Sequence, residues 1–90
     1  MTGTNLKIDP ERFWQTIEAS AAIGTGPQGG LRRLALGKAD AEMRALFARW
    51  CEDGGYALTT DRLGNMFARR DGTESDLPPV LIGSHLDTQA

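Results

Sequence analysis

Apolar side chains recur at helical spacing in two segments of the chain. The first segment predicts a helix over about Pro10–Ala22, in which Phe13 and Ile17 lie on one apolar stripe. Asp9 precedes this helix as a candidate N-cap. The second predicts a helix with its core at Asp40–Asp53, where four apolar residues fall at positions i, i+3, i+4 and i+7: Met43, Leu46, Phe47 and Trp50. Each predicted helix therefore has one face suited to packing.

Shorter segments further along the chain predict β-strands. Tyr56–Thr60 and Asn65–Arg70 flank a turn at Asp61–Gly64, a pattern typical of an antiparallel hairpin with a loop of about four or five residues. Val80–Ile82 is apolar at every position, as expected of a strand covered on both faces. The order of two helices, a β-hairpin and a buried strand predicts an α/β domain. We expect the chain to form only the first part of that domain, because a strand buried on both faces needs layers that 90 residues barely supply.

A glycine-rich loop, Gly26–Gly30, separates the two predicted helices and leads into Arg32 and Arg33. One hypothesis treats this segment as a connector whose glycines relieve backbone strain and whose arginines face water. The other places Arg32 or Arg33 near an anionic group of a substrate. The residues alone favour the connector.

The composition is that of one small globular domain, with 40% hydrophobic and 24% charged residues and a net charge of −2. This balance gives no reason to expect a nucleic acid or an anionic membrane as partner. No segment approaches the ~20 apolar residues that span a bilayer, and the N-terminus lacks the pattern of a secretory signal. Cys51 is the single cysteine, so no internal disulfide forms, and a reducing cytoplasm is the expected location. We predict that its side chain is packed rather than nucleophilic.

The candidate chemistry lies at His85, the only histidine, and Asp87, which follow the apolar segment Val80–Ile82. In an extended chain, side chains two residues apart point the same way. An imidazole is a common zinc ligand, and its second ring nitrogen usually donates to a carboxylate. A histidine after a strand is also often a hydrogen-bonded structural residue, and the pair alone does not decide between these two roles.

Four segments in order resemble a known enzyme family. Gly83–Gln89 is similar to the first metal motif of the di-zinc exopeptidase-like amidohydrolases. The match is closer to the hydantoinase/carbamoylase branch, which includes N-carbamoyl-L-amino-acid hydrolase, β-ureidopropionase and allantoate amidohydrolase. Three further segments resemble that branch at similar intervals: Gly29–Ala35, then Asp40 with Met43, Arg44 and Phe47, then Asp61–Asn65.

The resemblance implies a fold, a cofactor and roles for two residues. The fold is the N-terminal part of a zinc-exopeptidase-like, three-layer α/β/α catalytic domain. His85 would be a direct zinc ligand. Asp87 would belong to the catalytic machinery by holding the His85 imidazole and tuning the metal, without binding it. The intact enzyme would hold two zinc ions, with Mn²⁺, Co²⁺ or Ni²⁺ as alternatives, and would form a homodimer.

The resemblance also shows what these 90 residues lack. A bridging aspartate, a pair of glutamates, further histidines and a separate lid and dimerisation domain have no counterpart in the sequence. We therefore expect residues 1–90 to be an incomplete catalytic domain, inactive alone. The intact enzyme would hydrolyse linear amide-type C–N bonds in a small molecule, N-carbamoyl-L-amino acids before allantoate or aminoacylase-like substrates.

Two rival hypotheses come from other classes of protein. A small α/β interaction module would use the helix Asp40–Asp53 as its contact face. A mononuclear metal-binding protein would assemble its site across an oligomer through His85.

Overall fold

The computed structural model describes residues 6–89. Two helices are followed by two strands: α1 (Pro10–Ala21), α2 (Lys38–Asp53), β1 (Ala57–Thr60) and β2 (Met66–Arg69). Both helices and the hairpin are where the sequence predicts them, so the α/β class is confirmed. None of the helices in residues 6–89 has the length and hydropathy needed to cross a membrane.

Helix α1 begins as predicted but packs less than predicted. The Asp9 carboxylate accepts a hydrogen bond from the backbone N–H of Arg12 at 3.1 Å, which caps the first turn. The helix has no buried residue, and its apolar stripe stays open, with Phe13 55% and Ile17 41% exposed. Apolar packing within residues 6–89 therefore contributes little to holding α1 in place.

Helix α2 carries the small core of the described chain. Met43 and Cys51 are buried, and the rest of the predicted stripe is half-buried. Burial raises the pKa of the Cys51 thiol, which agrees with a packed rather than a reactive cysteine. The helix ends at Asp53, Gly54 is its C-cap, and Gly55 takes the left-handed conformation with φ +74°.

The hairpin pairs β1 with β2 in antiparallel register, from Ala57 opposite Arg69 to Thr60 opposite Met66. The turn between the strands is held by one carboxylate. Asp61 accepts hydrogen bonds from the backbone of Leu63 at 2.9 Å and from the backbone of Asn65 at 2.8 Å. Its other oxygen accepts from the Asn65 side chain at 2.9 Å, and these bonds from Asn65 lower the pKa of Asp61.

A contact from α2 fixes the position of this turn. The guanidinium of Arg44 donates a hydrogen bond to the carbonyl of Gly64 at 2.7 Å. Gly64 has φ +90°, a conformation that glycine adopts without strain. Two contacts therefore hold the hairpin to α2: the hydrogen bond at the turn, and the packing of α2 against β1.

The prediction of a buried strand at Val80–Ile82 is wrong. These three residues are 79–90% exposed and pair with neither strand of the two-stranded sheet. A strand that is apolar on both faces needs sheet neighbours and covering layers. Residues 6–89 supply neither at this place, so the segment stays extended and uncovered.

Candidate metal-ligand motif

The loop between the helices closes on itself and sets the path of the residues that follow it. Thr25 and Leu31 form an antiparallel bridge, and Arg32 donates its backbone N–H to the carbonyl of Gly24 at 2.6 Å. Gly24 has φ +80°, and a Cβ there would lie 2.9 Å from the Cβ of Ala39. Only glycine fits this approach. These contacts fix the direction in which residues 31–33 leave the loop.

The prediction that the arginines after this loop face water is wrong for Arg33. Arg33 is 4% exposed, whereas its neighbour Arg32 is exposed. Its Nη1 donates to the carbonyl of Ser20 at 2.8 Å, in the last turn of α1, and to the carbonyl of Ile23 at 2.9 Å, two residues after the helix. Its Nε donates to the carbonyl of Leu86 at 2.8 Å. A buried guanidinium is stable only when its donors are satisfied, and these carbonyls satisfy it.

The backbone of Arg33 contacts the same distant segment as its side chain. Its N–H donates to the hydroxyl of Thr88 at 2.8 Å, and its carbonyl accepts from the N–H of Thr88 at 2.7 Å. Together with the bond to Leu86, these contacts fix residues 86–88 against the inter-helix loop. They are the connection that brings the end of the described chain back to α1.

His85 and Asp87, on either side of Leu86, lie together as the sequence predicts. The imidazole Nδ1 is 2.8 Å from the backbone carbonyl of Asp87 and 3.3 Å from its Oδ1. Both oxygens are acceptors, so Nδ1 of the neutral ring carries the hydrogen. Nε2 then keeps its lone pair, the form in which imidazole binds a metal. The side chains are 76% and 43% exposed, respectively, which leaves the ring accessible.

The fit of this pair to a zinc ion is partial. One imidazole with an orienting carboxylate has the chemistry of a single zinc ligand and its supporting partner. A zinc site in a protein takes three or four protein ligands. No cluster of three or more histidine, cysteine, aspartate or glutamate side chains that could hold a metal is found among residues 6–89. The described residues therefore fit one ligand position and not a whole site.

Sequence reasoning missed the residues that hold this pair in place, namely Arg33 and Thr88. A signal was present in Leu31–Leu34, because alternate residues of an extended segment point to opposite sides. That alternation would have turned one of the two adjacent arginines toward the protein, whereas we predicted that both face water. Which one does so depends on a contact 53 residues away, which no local pattern contains.

Comparison with known proteins assigns the chain to a family, although no protein-family model matches it. It is 46% identical over 87 residues to an N-carbamoyl-L-amino-acid amidohydrolase from Rhizobium meliloti, covering 97% of this chain and 21% of that protein. It is 54% identical to a crystal structure of a hydantoinase/carbamoylase family amidase from Burkholderia ambifaria, with a TM-score of 0.89 over 93% of this chain. The chain belongs to the hydantoinase/carbamoylase family. This confirms the resemblance seen in its four segments.

The hydantoinase/carbamoylase proteins that the chain matches are much longer than the chain. The chain spans about a fifth of the length of the relatives and solved structures that it matches. A more distant relative, an allantoate amidohydrolase from Escherichia coli K12, is 34% identical over 80 residues. The shared region includes both helices and the hairpin, so their arrangement is that of the N-terminal fifth of a hydantoinase/carbamoylase amidase.

Proposed function

We propose that this chain forms the N-terminal part of the catalytic domain of a zinc-dependent amidohydrolase. In this proposal His85 is a direct metal ligand through Nε2, and Asp87 orients its ring. The observation that carries the proposal is the contact of Nδ1 with both the carbonyl and the carboxylate of Asp87, at 2.8 and 3.3 Å. A hydrogen on Nδ1 leaves the lone pair of Nε2 free to bind zinc.

The residues of this chain would perform a limited part of the chemistry. A bound zinc ion would polarise the carbonyl of the substrate and activate a water for hydrolysis of a C–N bond. Asp87 would hold the Nδ1 hydrogen of His85 and increase the electron density at Nε2. The remaining ligands and the general base would come from outside these 90 residues.

The substrate class rests on the relatives. Relatives in several bacteria are N-carbamoyl-L-amino-acid amidohydrolases, and another is an allantoate amidohydrolase. We propose that the intact enzyme hydrolyses the carbamoyl C–N bond of an N-carbamoyl-L-amino acid, with allantoate as the second candidate. A cytoplasmic location, which follows from the single cysteine, and a homodimer, which the family resemblance implies, remain predictions.

The rival interaction module is less well supported by the structure. It would use the apolar face of α2 as its contact surface. In the structure Met43 and Cys51 on that helix are buried, and α2 packs against β1. The apolar face that a partner would bind is therefore already partly covered within residues 6–89.

A chimeric enzyme tests the proposed function. Residues 1–90 would replace the matching N-terminal segment of the Rhizobium meliloti relative, which is 46% identical there. We expect the chimera to hydrolyse N-carbamoyl-L-amino acids in the presence of zinc, and His85→Ala to lower kcat/KM by at least about a hundredfold. Arg70→Ala, an exposed site after β2, is the control. A His85→Ala chimera as active as this control would contradict the proposal.

A further inference from the structure

Two successive peptide units at the candidate metal-ligand motif are anchored by a single residue. The carbonyl of Leu86 accepts a hydrogen bond from Arg33 Nε at 2.8 Å. The next peptide unit joins Asp87 to Thr88, and its N–H donates to the carbonyl of Arg33 at 2.7 Å. The carbonyl of that same unit lies 2.8 Å from His85 Nδ1. Because a peptide unit is planar, fixing its N–H also fixes the direction of its carbonyl.

Arg33 is itself held at the end of α1. Its Nη1 donates to the carbonyls of Ser20 and Ile23, and its Nη2 donates to the Ser20 hydroxyl at 3.1 Å. The last carbonyls of a helix lack partners within the helix and carry partial negative charge. Helix α1 has no basic residue in its last turn, so the guanidinium supplies the missing positive charge and donors from the loop. Arg33 thus links the end of a helix to the two peptide units beside His85.

We propose that Arg33 is a positioning residue for His85, acting through the backbone of residues 86–88. By holding the Asp87–Thr88 peptide unit, Arg33 directs the Asp87 carbonyl at Nδ1 and keeps the hydrogen there. The inference rests on the proposed function, since it matters for catalysis only if Nε2 binds the metal. Its structural part stands without any metal, because the tautomer is a property of the chain alone.

Loss of the Arg33 side chain releases the Leu86 carbonyl and removes the anchor at Ser20 and Ile23, so the Arg33 backbone carbonyl that accepts from Thr88 is no longer held in place. The neutral ring of His85 then populates both tautomers, as an unconstrained imidazole does. Only the tautomer with a free Nε2 binds the metal, so the apparent Kd rises in inverse proportion to its population. We expect an increase in the zinc Kd of roughly two- to tenfold.

The test uses the full 90-residue chain and its single histidine, which gives one set of imidazole signals. Nitrogen-15 NMR reports the tautomer ratio from the shifts of Nδ1 and Nε2, read where these shifts no longer change as the pH is raised. The wild type should show the Nδ1–H form almost alone. Arg33→Met should show a mixture, and Arg32→Met, the adjacent exposed arginine, should match the wild type. A purely structural arginine would not change the ratio while the helices stay intact.

A second variant covers the case in which Arg33→Met unfolds. Thr88→Val keeps the side-chain shape and removes only the hydroxyl that accepts from the Arg33 N–H. It should shift the tautomer ratio in the same direction, by less. Mixed tautomers in the wild type, or an unchanged ratio in both Arg33→Met and Thr88→Val, would overturn the inference. Zinc titration of the chimera described under the proposed function separates the two proposals: zinc binding by the chimera that His85→Ala leaves unchanged defeats the proposed function, whatever the tautomer ratio in the 90-residue chain.

Discussion

Replacing Asp40 by alanine should destabilise the fold by about 2–4 kcal/mol. Asp40 is 7% exposed in the first turn of α2, and its Oδ2 accepts from the N–H of Leu36 at 3.0 Å. A hydrogen bond to a charged group contributes about 1.5–3 kcal/mol. A carboxylate near a helix N-terminus contributes about 0.3–1 kcal/mol more. Because Gly37 offers no side-chain cap, no other described residue replaces this acceptor at the start of α2.

The assay is urea unfolding of the full chain, followed by circular dichroism of the helices. A loss of this size should lower the urea midpoint by about 1–2 M. Glu42→Ala is the matched control, since it removes the same charge from an exposed position two residues later. Equal midpoints for Asp40→Ala and Glu42→Ala would refute the reasoning.

Backbone strain at Leu36 allows a second test of the Asp40 hydrogen bond by the same unfolding assay. Leu36 has φ +68°, a left-handed conformation that costs a non-glycine residue about 1–2 kcal/mol. The bond to Asp40 holds it there. Leu36→Gly alone should therefore raise the free energy of unfolding by up to about 1 kcal/mol relative to the wild type, once the entropic cost of glycine is subtracted. The gain should shrink in the Asp40→Ala background, where the backbone is free to relax.

Four further predictions concern the core, the hairpin, the candidate motif and activity. Met43→Ala should destabilise the fold by about 2–5 kcal/mol, since Met43 is 1% exposed; a loss below about 1 kcal/mol in urea unfolding, followed by circular dichroism, would show that the core is elsewhere. The pKa of Asp61 is lowered in the fold, so its contribution to hairpin stability should be complete above the ordinary value of 3.8 and disappear as the pH falls through the lower folded value; the shift of the Asn65 amide against pH measures this, and an unshifted midpoint would contradict it. Asp87→Asn in the chimera should weaken zinc binding by about ten- to a hundredfold, because the neutral amide stabilises a metal-bound imidazole less; competition with a chelator measures the affinity, and an unchanged value would remove Asp87 from the site. The 90-residue chain with zinc should release no ammonia from N-carbamoyl-L-amino acids above the rate in buffer, and zinc-dependent release would show that our expectation of an incomplete site is wrong.

Local patterns in the sequence predicted the elements whose causes are local. The cap at Asp9, the stripe that begins at Met43 and the turn after Asp61 each depend on residues within a single helix or a single loop. The proximity of His85 to Asp87 is of the same kind, because it follows from their separation by one residue.

The missed features depend on partners far away in the sequence. Arg33 is buried because Leu86 and Thr88 return to meet it, and nothing near Arg33 encodes that contact. Val80–Ile82 is a strand by composition, but strands form only when a neighbour pairs with them. In both cases the deciding partner lies outside the local pattern.

The most direct test of the account is the zinc content of the purified chimera, measured by mass spectrometry of the metal with and without His85. If His85 is a direct ligand, the wild-type chimera should hold about two zinc ions per protomer. The His85→Ala chimera should lose close to one of them while its circular dichroism stays unchanged. A folded His85→Ala chimera that keeps both ions at the wild-type affinity would contradict the assignment of His85 as a metal ligand.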